Sequence, residues 1–139
     1  MDKSRIYSTI DDNSYYFDQS IYTLYSEDSK VDLKTVLGIL NSSLIYYYFK
    51  KTMSDGKETF PKIKKIQIEE LPIKTVYDNI ISKLVDQLLQ LNKDLQSTTL
   101  ETKREQIQAK ITHYEDRINE QVYQLYGLTE DEIDKIESK

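Results

Sequence analysis

The feature that most constrains the fold is an apolar stripe in the second half of the chain. Ile81, Leu84, Leu88, Leu91 and Leu95 step by three and four, which puts all five on one side of an α-helix and leaves that side needing a partner. Thr75 with Asp78 three residues on reads as a capping box, so the helix is expected to open there and run to about Gln96. Ser97-Thr98-Thr99 breaks it, and Thr98 with Glu101 supplies a second capping signal. Ile107, Ile111, Tyr114, Ile118, Val122 and Leu125 then continue at near-heptad spacing. Gly127 suits the left-handed position that ends a helix, with Leu128 placed to pack back. Thr129 and Glu132 open a last short helix to about Glu137. A short turn between two long helices predicts an antiparallel hairpin.

The preceding stretch, Leu33 to Ile73, has a different grammar. Leu33, Val36, Leu37, Leu40, Leu44 and Tyr47 or Tyr48 keep helical spacing, Asp32 is a suitable N-cap, and Ser54-Asp55-Gly56 should stop the helix near Lys51. Of the three consecutive tyrosines Tyr46-Tyr47-Tyr48, one or two should be core, because neighbours on a helix point about 100° apart. After Pro61, Ile63, Ile66 and Ile68 stand among lysines and suggest a half-buried strand that Pro72 ends. Upstream, Tyr15 to Tyr25 is rich in aromatic and β-branched residues and predicts two short strands or one bulged strand. Residues 1–14 are polar and turn-rich and read as an arm, or as the scar where a larger protein was cut. The expected architecture is therefore α+β. A small α/β part with a few short strands and one central helix spans residues 1–74, and the hairpin with its terminal helix spans 75–139.

Charge and composition narrow the chemistry. The chain has no cysteine, which removes disulfides and thiolate metal sites, and one histidine, His113, inside a predicted helix. No apolar run approaches ~18 residues and no signal peptide opens the chain, so a cytoplasmic protein without membrane contact is expected. The net charge is −5, but it is unevenly spread. Residues 50–65 carry six lysines against Asp55 and Glu58, a balance of +4, whereas residues 115–139 carry eight acids against three basic residues. One compact basic segment on an acidic chain can still meet phosphates, since exposed charges act over roughly 8–10 Å.

The order LGILNSSL, YYFKK, a lone glycine, FPKIKKIQIEELPI resembles the TaqI-like C-terminal specificity domain. Its landmarks here are Leu40-Asn41-Ser42, the aromatic run after them, Phe60-Pro61 with the basic segment that follows, and Leu71-Pro72-Ile73. The closing Val122-to-Glu137 stretch also fits the helical end of such enzymes. The resemblance implies the target-recognition part of a bacterial restriction-modification enzyme with adenine-specific DNA methyltransferase activity. It also implies partners: double-stranded DNA and the methyltransferase or nuclease part of the same enzyme.

Catalytic signatures are not found. The three glycines at 38, 56 and 127 are isolated and there is no Pro-Pro, so neither a methyl-donor loop nor a base-gripping motif is present. The Glu101-Thr102-Lys103 spacing sits in the first turn of a helix, where it reads as capping rather than as a nuclease centre. No cofactor is expected on this chain; S-adenosylmethionine and magnesium belong to an absent catalytic part. Lys50, Lys51, Lys57, Lys62, Lys64 and Lys65 are the expected phosphate contacts, with Lys57 and Thr59 the candidates for base edges. The rival expectation is a helical hairpin that self-associates or docks a protein partner and binds no nucleic acid.

Overall fold

In the computed structural model, residues 5–11, 13, 22–52 and 63–138 are described, and the elements among them are all helices. In chain order they are α1 (Leu33–Leu40), α2 (Ser43–Thr52), α3 (Lys65–Glu69), α4 (Asn79–Ser97), α5 (Glu101–Leu125) and α6 (Glu130–Glu137). Helices α4 and α5 form the hairpin, joined by three residues, and pair with each other within the chain. Ile81, Leu84 and Val85 on α4 are buried with Ile107, Ile111, Ile118 and Val122 on α5, while Leu88, Leu91 and Leu95 are half-buried. Arg104 closes the turn by donating from Nη1 to the carbonyls of Leu95 (2.7 Å) and Thr98 (3.0 Å), which lie at the end of α4.

The α+β expectation is overturned: no strand occurs among the described residues. Ile63, Ile66 and Ile68 do not alternate along a strand. The inward residues are Ile63, Gln67, Ile68 and Leu71, a spacing of four, one and three that belongs to a helical turn, and Lys64, Lys65 and Ile66 face outward. Tyr22 to Tyr25 are exposed and irregular, and the rest of the expected Tyr15–Tyr25 strand lies outside the described residues, as does the turn at Ser54-Asp55-Gly56.

The expected single central helix is two helices, broken at Asn41-Ser42. Both residues divert backbone bonding into their side chains, as short polar residues do. Ser42 donates from Oγ to the Ile39 carbonyl at 2.6 Å. Asn41 turns away to residue 8, accepting from the Ser8 amide (3.1 Å) and donating to the Ser8 carbonyl (3.0 Å). The first amide of α2, at Ser43, donates to Asn119 Oδ1 on α5 at 2.9 Å.

Helix α1 lies across the hairpin and contacts both of its helices. The crossing is close at Gly38, where an added Cβ would stand 2.4 Å from Ile81 Cγ2 and 3.2 Å from Val85 Cγ2. The N-terminal ends of α1 and α4 are tied together by reciprocal bonds. Asp32 caps α1 by accepting from the Thr35 amide (3.0 Å), and Thr35 Oγ1 accepts from the Asp78 amide (3.2 Å). Asp78, not Thr75, caps α4, accepting from the Ile81 amide (2.9 Å) and from Gln121 Nε2 on α5 (3.1 Å). The second expected box is likewise absent: Leu100 stands at the start of α5 without a side-chain cap, and Thr98 Oγ1 donates back to Asp94.

One core results. Ile6, Leu37, Ile39, Leu40, Ile45, Phe49 and Leu71 pack in the same cluster as Ile81, Leu84, Val85, Ile118 and Val122. It therefore crosses the 74/75 line between the two parts read from the sequence. Hydrophobic burial is roughly additive in area, so the two sides stabilise each other. Helix α6 folds back onto α2, after a turn in which Gly127 takes φ 65° and the Leu128 amide donates to the Tyr123 carbonyl.

Candidate nucleic-acid interface

The basic residues are distributed over two places. Lys50 and Lys51 end α2, where cations suit the negative end of the helix dipole. Each sits one turn beyond a tyrosine, and the four-residue spacing puts ammonium beside ring: Lys50 Nζ lies 5.7 Å from the Tyr46 ring centre, and Lys51 Nζ 5.6 Å from that of Tyr47. Lys64 and Lys65 open α3, both exposed, and Lys65 pairs with Glu69 one turn on at 3.6 Å. Lys57, Thr59 and Lys62 lie outside the described residues.

Lys50 and Lys51 line an open trough whose other members come from distant parts of the chain. Its rim includes Arg5 and Tyr7 from the N-terminal segment together with Tyr46 and Tyr47. Arg5 is bound to Glu115 of α5 through both guanidinium nitrogens, one of them at 2.7 Å, and its guanidinium lies 5.9 Å from the Tyr7 ring centre. Asp116, Glu120 and Glu137 stand along the same trough. Lys64 and Lys65 do not line it.

Sequence reasoning passed over Arg5 and Tyr7 because the first 14 residues show no period. The available signal was Ile6, an apolar residue between polar neighbours. It is only 9% exposed and anchors the segment beside the Asn41–Ser8 bonds. All three tyrosines of the 46–48 run are half-buried; Tyr46 and Tyr48 pack against the core, whereas Tyr47 does not.

A second cluster surrounds Lys74. Its ammonium donates to the Leu125 carbonyl at the end of α5 (2.9 Å) and lies 4.9 Å from the Tyr126 ring centre. The Tyr126 hydroxyl donates to the Pro72 carbonyl (2.6 Å) and accepts from the Lys74 amide (3.0 Å). Burial pushes the Tyr126 hydroxyl above its ordinary pKa, against the lowering effect of the Lys74 amide. This lysine is engaged in fastening the 71–74 segment to the hairpin.

Among the described residues no group of three or more His, Cys, Asp or Glu side chains is placed to hold a metal ion, and no helix is long and apolar enough to cross a membrane.

The model of one protein family, the TaqI-like C-terminal specificity domain, matches residues 2–73. That is just over half of the chain. The chain belongs to this family. Comparison with curated proteins and with solved structures returns no match.

Within this specificity domain the landmark residues have structural duties. Asn41 and Ser42 make the break between α1 and α2 and hold residue 8. Pro72 is held by Tyr126. Ser43, next to the first landmark, and Pro72 fasten the matched segment to the hairpin, through Asn119 on α5 and Tyr126 just after it, both beyond the match. Lys50, Lys51, Lys64 and Lys65 fall inside the matched range but take no comparable part in fastening the fold.

Proposed function

We propose that this chain is the DNA target-recognition part of a restriction-modification enzyme, and that N6-adenine methylation is carried out by another part of that enzyme. The chain itself is non-catalytic; S-adenosylmethionine and magnesium belong to that other part. The observation that carries this reading is the family match over residues 2–73, which includes the basic segment. Physical support comes from charge placement. Lys50 and Lys51 project at a helix end, and Lys64 and Lys65 are exposed at the next helix start, separated by a segment that adds Lys57, Thr59 and Lys62. Clustered flexible cations suit phosphate oxygens, which need only charge and donors within ~3 Å. On this reading the six lysines grip the backbone of double-stranded DNA, Lys57 and Thr59 reach base edges, and the hairpin holds the recognition segment at a set distance from the catalytic part.

The test is fluorescence anisotropy of the chain with a duplex, titrated at several salt concentrations. The comparison is a variant with Lys57, Lys62, Lys64 and Lys65 changed to glutamine. Binding that falls steeply with salt, with a shallower slope and lower affinity in the variant, is expected. Absence of binding at ~50 mM salt, or equal binding by the variant, refutes the assignment.

A further inference from the structure

The outer side of α5 carries a charge pattern that the basic segment does not account for. Lys103, Lys110 and Arg117 recur every seven residues, so they lie in one row along the helix. All three are exposed, and none pairs with an acid among the described residues. The row is turned away from α1 and the start of α2. Residues two apart on a helix point about 200° apart, and Glu115 and Asn119, two residues to either side of Arg117, are the ones that bond Arg5 and Ser43. None of the three cations lines the trough. Between them the row holds Gln106 and His113, both exposed, and the next acid along it is Glu120, three residues beyond Arg117.

Helix stability does not explain the row. Lys103 stands in the first turn of α5, where the helix dipole favours anions. Lys110 has no opposite charge three or four residues away, since Gln106, Ile107, His113 and Tyr114 fill those positions. Three like charges repel one another, and they would repel the same row on a second copy, so the face suits an anionic partner. Resting on the target-recognition reading, we propose that this row is a second contact with the phosphate backbone of duplex DNA, beyond the stretch held by the basic segment. Seven helical residues advance about 10.5 Å, against a major groove about 12 Å wide. Successive cations on long side chains can therefore reach phosphates on both walls of a groove. Such contacts supply affinity and register, and sequence choice is left to the basic segment. The hairpin is then a grip on DNA as well as a spacer.

Salt dependence reads phosphate contacts directly, because each one lost lowers the slope of log K against log salt by about 0.9. The chain would be titrated with a duplex of about 30 base pairs, roughly three helical turns. The row variant is Lys103→Gln/Lys110→Gln/Arg117→Gln. A control of equal net charge, Lys30→Gln/Lys93→Gln/Lys135→Gln, removes exposed cations elsewhere, and the glutamine variant of the basic segment runs beside both. Glutamine forms helix about as well as lysine, so circular-dichroism melts should not fall. The row variant is expected to lose roughly two to three units of slope, and about tenfold or more in affinity at ~50 mM salt. The control should bind as the parent does. Parent-like binding by the row variant, with the basic-segment variant impaired, overturns the second contact, leaves target recognition standing and points the row at an acidic protein instead. Equal losses in the row variant and the control also overturn it, since total charge would then be acting. Failure of the parent to bind the duplex removes both readings.

Discussion

Replacing Gly38 with alanine tests how closely α1 sits on the hairpin. Elsewhere in a helix this change helps, since alanine is favoured over glycine by about 1 kcal/mol. Here the new methyl would stand 2.4 Å from Ile81 Cγ2, 3.2 Å from Val85 Cγ2 and 3.6 Å from Ile118 Cγ2, whereas carbon atoms rest at about 3.5–4.0 Å. Ile81 cannot swing its methyl aside, because a β-branched residue in a helix has essentially one rotamer. The helix itself must move, and overpacking of this kind costs about 1–3 kcal/mol. Set against the propensity gain, the net loss should be about 0–2 kcal/mol. For a chain of this size that lowers the melting temperature by up to roughly 8 °C. The measurement is a thermal or urea melt of a double-mutant cycle with Ile81→Ala. With the Ile81 methyl gone, Gly38→Ala should become neutral or stabilising, and the two changes should couple by at least about 1 kcal/mol. A higher melting temperature for Gly38→Ala alone would refute the close crossing.

Three other perturbations address other parts of the fold. Asn41→Ala removes the bonds to residue 8 and should cost about 1–3 kcal/mol; hydrogen exchange should show faster exchange of the Ser8 amide while the centre of α5 stays protected. Asp32 is desolvated, which raises its pKa, but hydrogen bonds from Thr35, joined by Ser82 and the Lys34 backbone, outweigh this and hold its carboxyl below the ordinary 3.8. Its folded pKa is depressed, so its stabilising contribution is present above the unfolded value and lost as pH falls through the folded one. Acid melts should therefore show a smaller decline below about pH 4 for Asp32→Asn than for the parent. The Tyr123 hydroxyl is buried beside Ser43 and Glu137 without a well-formed hydrogen bond to either, and burial, with the nearby Glu137 charge, pushes its pKa up to about 12. Tyr123→Phe should leave stability unchanged or raise it by up to about 1 kcal/mol, and a loss above that in a urea melt would reveal a bond the hydroxyl does make.

What could be read from sequence was what local chemistry determines. The stripes of α4 and α5, the cap at Asp32, the left-handed Gly127 and the Thr129–Glu132 box depend on neighbours within a few residues, and all are found. Apart from the capping boxes expected at Thr75 and Thr98, which are local signals that did not form, the errors came where a distant partner decides. Leu33 to Lys51 has one continuous helical period, yet Ser8 and Asn119 compete for the groups at Asn41-Ser42-Ser43 and split it. Ile63, Ile66 and Ile68 suggested alternation because isoleucine favours strands, but burial of Gln67 and Leu71 reveals the helical spacing. For the candidate site, the concentration of lysines was visible in the string. That Lys50 and Lys51 share a trough with Arg5, and Lys64 and Lys65 do not, is a property of chain crossing and has no local signature.

The core that α1 shares with the hairpin bears on how recognition can be exchanged between relatives. A transplant of residues 2–73 alone would leave Leu37, Gly38 and Leu40 facing another protein's versions of Ile81, Val85 and Ile118. It would also strip Asn41-Ser42-Ser43 and Pro72 of the Asn119 and Tyr126 that fasten them. The unit that can be moved with its fold intact is the recognition segment together with the hairpin faces beneath it, and the natural junctions for a chimera lie outside both.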